Sequence, residues 1–264
     1  MDPQALLDFL GLSTGEVERM LLILSRVSGL FLAAPFFSRS VGPVRVRAIL
    51  AMALTLVLFP LSPPWPGEGS GNPWSMAAAS LSELVVGAMI GMLAHWVLVA
   101  MQVAGSIIGF EMGLSMAMVM DPTSGLQEGV LSNLLYFAGL IIFLSINGHH
   151  LLLEGLGRSF TLVPPGTGLP AGQLLLESAV LGLVRMFELS LLIAAPVIVS
   201  SKMLYLGMGL VNRASPQIQV FFLAMPLAQL LGLLVMGLSL AVFGQVLIRE
   251  IGAFLALGMK TVGG

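Results

Sequence analysis

Few side chains in this sequence of 264 residues could carry out acid–base or metal chemistry. Glu111 and Asp121 could form a carboxylate pair for proton transfer, but they are ten residues apart with a glycine between them, which gives the pair little support. His149, His150 and Glu154 suggest a metal site, yet HHLLLE differs from the HExxH pattern that places two ligands and a base on one helix. The sequence also has no P-loop. These patterns favour a protein that is not an enzyme.

A methionine-rich stretch, GSIIGFEMGLSMAMVMDPTSG at 105–125, is the most unusual part of the sequence. On a helix, Met112, Met116 and Met120 would align on one face, and Met118 would point elsewhere. Methionine is unbranched and adapts to changing surroundings. A methionine stripe of this kind more often packs in a protein core than serves a specific function. The alternative is a deformable apolar closure across a conduit, because hydrophobic constrictions can shut a pore to ions by dewetting.

Glycines recur at four-residue spacing before this stretch and within it. Gly87 and Gly91 form one such pair, and Gly105, Gly109 and Gly113 form a second ridge. Glycines at this spacing let neighbouring helix backbones approach closely. The simplest interpretation is close helix packing.

The amino-acid composition indicates the environment that surrounds the chain. Hydrophobic residues make up 57% of the chain and charged residues only 9%, against about a quarter charged in a soluble domain. The net charge is −2 and no polybasic run occurs, so nucleic acid is not an expected partner. With no cysteine, disulfides and thiolate chemistry are excluded. The composition predicts a protein embedded in membrane lipid.

Long apolar stretches without period-2 alternation predict an all-α, multi-helix integral membrane protein that forms a single domain over 1–264. Their lengths do not match simple spanning helices. A hydrocarbon core of about 30 Å needs about 20 helical residues, whereas the second stretch would rise about 21 Å and the third about 51 Å. We therefore expect broken and tilted helical hairpins. The stretches are at about 20–37, 48–61, 76–109, 130–153, 174–200 and 218–248.

Charged side chains within or beside these stretches need partners in protein or in a water-filled lumen, because charge facing lipid is costly. Arg185 and Glu188 are three residues apart and share a helix face, which predicts a local ion pair at a packing interface. A pore-lining or inter-subunit role is the alternative. Lys202 and Arg213 predict a cytoplasmic loop at 200–217. The predicted buried charges or inter-subunit contacts are Arg26, Glu83, Glu111, Arg185, Glu188 and Arg213, with Glu177 in a similar position.

Four blocks of the sequence carry a resemblance to a known family. They are RVSGLFLAAPFFSRSVGPVRVRAILAMALTLVLFP at 26–60, GSIIGFEMGLSMAMVMDPTSG at 105–125, NGHHLLLEGLGRSFTLVPPG at 147–166 and LVNRASPQIQVFFLAMPL at 210–227. In this order they closely resemble the FliR family, the flagellar biosynthetic membrane proteins of the type III export gate, which has relatives in injectisomes. The resemblance runs from about residue 19 to 250, and the two ends depart from it.

The resemblance implies a multi-pass protein of the bacterial inner membrane at the flagellar basal body. Such proteins assemble with several copies of FliP and FliQ, near FlhB and FlhA, into a gate that passes unfolded flagellar subunits. They use no cofactor and do no chemistry. It also implies a FliP-like portion at 1–170 and a FliQ-like portion at 171–264.

In this family, the segment matching Phe110 to Pro122 forms a plug in the closed gate. By resemblance, the close-packing glycines would let this segment fold tightly, and Glu111 would pair with a neighbouring subunit or face the lumen. Two alternatives stay open: a secondary transporter of a small solute that uses discontinuous helices, and a scaffold that does not line the path. The predicted plug residues are Phe110, Met112, Met116, Met118 and Met120, ended by Asp121 and Pro122.

Overall fold

The computed structural model describes residues 13–34, 43–65, 72–114, 129–168, 172–215, 217 and 220–263. Within these ranges the chain is helical and contains no strand, which confirms the all-α prediction. A short 3-10 helix, Phe59–Leu61, follows the second α-helix. The α-helices are α1 Thr14–Ala33, α2 Val44–Leu58, α3 Pro73–Glu111, α4 Val130–Ser145, α5 Gly148–Leu162, α6 Gly172–Ala214 and α7 Val220–Gly263.

Three of these helices are longer than the sequence predicted. Helix α3 runs unbroken for 39 residues, or about 58 Å at about 1.5 Å per residue. Helices α6 and α7 have 43 and 44 residues. The predicted loop at 200–217 is wrong as far as Ala214, because apolar helix-forming residues continue there and the two basic residues occupy exposed helical positions.

The apolar stretch at 130–153 is divided into two helices. Helix α4 ends at Ser145 and α5 begins at Gly148. Asn147 between them has a φ of 57°, the left-handed conformation that asparagine adopts more readily than most residues. This local turn breaks the helix, in agreement with the prediction from the helix lengths that some helices are broken.

Four described helical segments are long and apolar enough to cross a membrane. Counting α4 and α5 as one bent span raises the number of candidates to five. Together with the apolar composition, these segments make the chain a multi-pass membrane protein. The four are Val44–Leu61, Pro73–Glu111, Leu176–Ala214 and Phe222–Leu240.

The chain divides into two compact units, and the three longest helices contribute residues to both. The first unit contains Met1–His95, Asn147–Gly182 and Ile251–Gly264. The second unit contains Trp96–Ile146 and Leu183–Glu250. Buried side chains in the first unit include Leu22, Val27, Leu30, Val86 and Phe160, and those in the second include Leu98, Met101, Ile108, Leu135, Ile193 and Val197.

Candidate functional site

Helices α1 and α3 cross in the first unit with their backbones in direct contact. A Cβ atom on Gly29 would overlap the carbonyl oxygen of Leu84, and one on Gly87 would overlap the carbonyl oxygen of Arg26. Gly91 packs against the end of α1 in the same way. The sequence analysis singled out Gly87 and Gly91 but missed Gly29, although Ser25 and Ala33 four positions away on either side form a small-residue pattern that could have marked it.

This close crossing places Arg26 of α1 beside Glu83 of α3, and both side chains are buried. The Arg26 Nε donates to Glu83 Oε2 at 2.5 Å, Nη1 donates to Ser159 Oγ at 3.0 Å, and Nη2 donates to the Val163 carbonyl at 2.9 Å. The backbone N–H of Gly166 donates to the other carboxylate oxygen of Glu83 at 2.9 Å. These bonds compensate for removing both charges from water.

One aromatic ring lies against Arg26, and a second packs on Gly166. The Arg26 guanidinium carbon lies 4.4 Å from the centroid of the Phe160 ring, a distance suited to a cation–π interaction. The Trp65 indole occupies the space that a side chain at Gly166 would need, and Gly166 has a φ of 77°, which favours glycine. The arrangement holds α1, α3, α5 and the turn after α5 together. We call Arg26, Glu83, Ser159, Val163 and Gly166 the buried ion-pair site.

The end of α3 forms a second polar site, in the second unit. Lys202 Nζ lies 2.9 Å from Glu111 Oε2, and the Tyr205 hydroxyl donates to the Glu111 carbonyl at 3.1 Å. Lys202 and Tyr205 are three residues apart on α6 and so share a face. The sequence predicted that Glu111 would pair with another subunit or face a lumen, whereas the structure gives it a partner in its own chain.

A Schellman motif terminates α3 immediately after Glu111. The N–H of Leu114 donates to the Gly109 carbonyl at 3.0 Å, and the N–H of Gly113 donates to the Phe110 carbonyl at 3.0 Å. Gly113 has a φ of 73°, and the closest atom to a Cβ placed there would be 4.0 Å away, on Met225. Within this chain, Gly113 therefore makes no close contact of the predicted kind. Its role is conformational, because the left-handed residue that ends such a helix is usually glycine.

Gly105 lies where α3 meets α4. A Cβ atom on Gly105 would be 2.5 Å from the Leu131 carbonyl oxygen and 2.6 Å from the Ser132 Cα, too close for any side chain. The Ser132 hydroxyl donates to the Gln102 carbonyl at 2.8 Å beside this contact. Gly109, one turn further along α3, is buried.

The predicted plug residues differ in their environments where the structure describes them. Phe110 is 74% exposed within the chain, whereas Met112 is fully buried. A Cβ atom on Gly232 of α7 would lie 2.6 Å from the Met112 Cγ and 2.8 Å from its Sδ, so this methionine occupies the space that the glycine leaves. Because α3 ends at Glu111, Met112 lies in a turn and not on the predicted helical face. Met116, Met118, Met120, Asp121 and Pro122 lie outside the described residues.

Arg185 has a different partner from the one that the sequence predicted. Its Nη1 lies 3.8 Å from Glu250 Oε2 on α7, and Glu250 also has Arg249 at 3.7 Å. Glu188 is exposed on α6. A side chain on a second helix provides the nearby opposite charge, which spacing within one helix could not reveal. Arg213 is exposed in the last turn of α6, where a cation interacts favourably with the helix dipole.

Where the structure describes them, the residues that suggested enzyme chemistry do not form one site. The rings of His149 and His150 are 4.2 Å apart, while Glu154 pairs with Arg158 at 2.6 Å. Across the ranges that the structure describes, no group of three or more histidine and carboxylate side chains could hold a metal ion. Glu111 pairs with lysine, and Asp121 lies outside the described residues.

Comparisons with known proteins agree on one family. The family described as bacterial export proteins, family 1, matches residues 17–254. The flagellar biosynthetic protein FliR of Escherichia coli (strain K12) is 33% identical over 220 residues, which cover 81% of each chain. The FliR protein of Bacillus subtilis (strain 168) is 31% identical over 78% of this chain and 80% of its own. The FliR protein of Caulobacter vibrioides is 30% identical over 83% of this chain and 87% of its own. The chain therefore belongs to the FliR family of bacterial export proteins.

Proposed function

We propose that this protein is a core component of the flagellar type III protein export gate in the bacterial inner membrane. It would assemble with FliP and FliQ, near FlhB and FlhA, to form the channel through which unfolded flagellar subunits leave the cytoplasm. The observation that carries the proposal is the family match across residues 17–254, together with relatives that are named flagellar biosynthetic proteins.

The uncovered surfaces of the spanning helices support an assembly. Only 17% of the apolar window at Val44–Leu61 and 22% of that at Phe222–Leu240 is buried within the chain. Such surfaces need lipid or neighbouring helices to cover them. The division into a FliP-like portion at 1–170 and a FliQ-like portion at 171–264 stays a prediction of this proposal.

The proposal includes a plug made by Phe110 and the methionine-rich segment that ends at Asp121 and Pro122. Two described features support it. The chain leaves α3 at a defined point after Glu111, and Phe110 projects an apolar ring that its own chain leaves 74% exposed. An apolar ring and several flexible methionines would suit a seal that must part for a polypeptide and then exclude ions.

Native mass spectrometry of the tagged chain, co-expressed with FliP and FliQ from the same bacterium, tests the proposal. We expect a discrete complex that contains this chain and several copies of both partners. A monomer or homo-oligomer that ignores both partners would contradict the export-gate proposal. Transport of a small solute by the purified chain alone would then favour the secondary-transporter alternative.

A further inference from the structure

Glu111, the last residue of α3, and Met112, the first residue after it, both have partners on other helices of the second unit. The Glu111 carboxylate pairs with Lys202, its carbonyl accepts from Tyr205, and the Met112 side chain packs on Gly232. Helices α6 and α7 therefore both hold the point where the chain leaves α3. We call Glu111, Lys202 and Tyr205 the α3 clamp.

Each polar contact in the clamp has a physical reason to form. Lys202 lies within the apolar segment Leu176–Ala214, where an unpaired charge would be costly. Its position beside the last turn of α3 also places a positive charge at the negative end of that helix dipole. Tyr205 supplies a donor to one of the carbonyls that a helix leaves without an internal partner at its end.

The clamp and the Schellman motif act on consecutive residues. Gly113 turns the chain, but a glycine turn alone fixes only the local backbone direction. The contacts to Lys202 and Tyr205 fix where that turn lies relative to α6. A defined exit point would be needed if the following segment must reach one place in a gate.

We propose that Lys202 and Tyr205 are positioning residues, which hold Glu111 so that the predicted plug segment starts from a fixed point. The proposal rests on the proposed function, because it assigns the clamp to ion-tight closure of the export gate. Lys202 and Tyr205 act through Glu111 and need not contact the exported polypeptide.

Cysteine labelling tests the clamp without the rest of the gate. The chain has no cysteine, so Leu114→Cys, at a position 40% exposed, introduces a single thiol just beyond the clamp. In the purified chain, Lys202→Gln and Tyr205→Phe should each raise its maleimide labelling rate by about two- to fivefold, the range expected when one partly exposed interaction is lost. Lys202→Arg should keep the slow rate, and the charge exchange Glu111→Lys with Lys202→Glu should restore it in part.

A matched control uses the exposed ion pair on α5. Glu154→Gln removes a partner of Arg158. This pair is not part of the clamp, so the labelling rate at position 114 should stay unchanged. Unchanged rates in both Lys202→Gln and Tyr205→Phe would overturn the clamp. Faster labelling in the single variants that the charge exchange does not slow again would show general disruption and would also overturn the clamp.

Ion conductance of the co-purified complex with FliP and FliQ in liposomes tests the functional consequence. Lys202→Gln should raise conductance while complex yield stays normal, and the charge exchange should lower conductance again. An ion-tight Lys202→Gln complex of normal yield would overturn the link between the clamp and closure. If the wild-type chain forms no complex, the proposed function fails, and the labelling rates still decide whether the clamp exists.

Discussion

Arg26 and Glu83 form a buried ion pair that joins α1 to α3 at the point where the two backbones touch. Neither residue reaches solvent within the chain, and the guanidinium also bonds to Ser159 and the Val163 carbonyl. A buried ion pair adds little net stability, because both charges must be removed from water. Breaking the pair is costly, because the remaining charge is then buried without a partner. It therefore favours one register of α1 on α3.

Removing one partner of this pair should destabilise the protein strongly. We expect Arg26→Met or Glu83→Leu to lower the free energy of unfolding by about 3 to 5 kcal/mol, whereas the double variant should lose less than the sum of the two. Thermal unfolding of the purified variants in one detergent would measure this coupling. Glu154→Gln, in the exposed ion pair with Arg158, is the control and should cost about 1 kcal/mol or less. Additive losses from the two buried variants would contradict the prediction.

Alanine should destabilise the protein at the glycines of the α1–α3 crossing and stabilise it at glycines that have no close neighbours. Gly29→Ala and Gly87→Ala would drive a methyl group into backbone carbonyl oxygens, so the helices must separate. On α6, a Cβ atom added at Gly207 or Gly209 would meet no neighbouring atom within 4 Å. Alanine there should stabilise the helix by about 0.5 to 1 kcal/mol.

Melting temperatures of the four variants in detergent would decide between close packing and general intolerance of alanine. A loss of similar size at all four positions would contradict the packing explanation. A loss at Gly29 and Gly87 with no change or a gain at Gly207 and Gly209 would support it.

The sequence predicted the all-α membrane fold because composition and hydrophobic periodicity depend on local residues. It also indicated Gly87, Gly91 and Gly105, since repeated small residues have a recognisable spacing. It could not identify Lys202 as the partner of Glu111, or Glu250 as the partner of Arg185, because each contact joins helices that are distant in sequence. The role of Gly113 was missed for a different reason. Its four-residue spacing suggested a continuing helix, whereas its backbone conformation ends one.

The start of α1 should depend on pH through Glu16. The Ser13 backbone N–H donates to the Glu16 carboxylate at 2.7 Å, and the Glu16 N–H donates to the Ser13 hydroxyl at 3.3 Å. The hydrogen bond from the Ser13 backbone, followed by that from its hydroxyl, lowers the pKa of Glu16 below its ordinary value. The resulting stabilisation is complete above the unfolded-state pKa and is lost as pH falls through the lower folded-state pKa.

Amide hydrogen exchange at residues 14–18 would measure this dependence. In the wild-type chain, protection normalised for intrinsic exchange should fall as the pH is lowered from 6 to about 3, through the range in which glutamate protonates. Glu16→Gln keeps a side-chain oxygen that can accept the Ser13 N–H but cannot titrate, so its normalised protection should stay constant. An equal fall in both proteins would assign the change to another carboxylate.

The methionines of the predicted plug can be tested without shortening the chain. Replacing Met116, Met118 and Met120 with serine removes flexible apolar side chains and keeps the length of the segment. If these residues help to seal the gate, co-purified complexes with FliP and FliQ should assemble normally but conduct ions in liposomes, because a polar constriction no longer excludes water.

The control for this variant is Met52→Ser on α2, which changes a methionine that is 48% exposed and lies outside the predicted plug. It should form complexes as ion-tight as those of the wild type. Met112 is unsuitable for the same experiment, because its contact with Gly232 would couple a loss of sealing to a loss of packing. Ion-tight complexes of the triple serine variant would contradict a methionine seal while leaving membership in the export gate intact, since assembly and closure are measured separately.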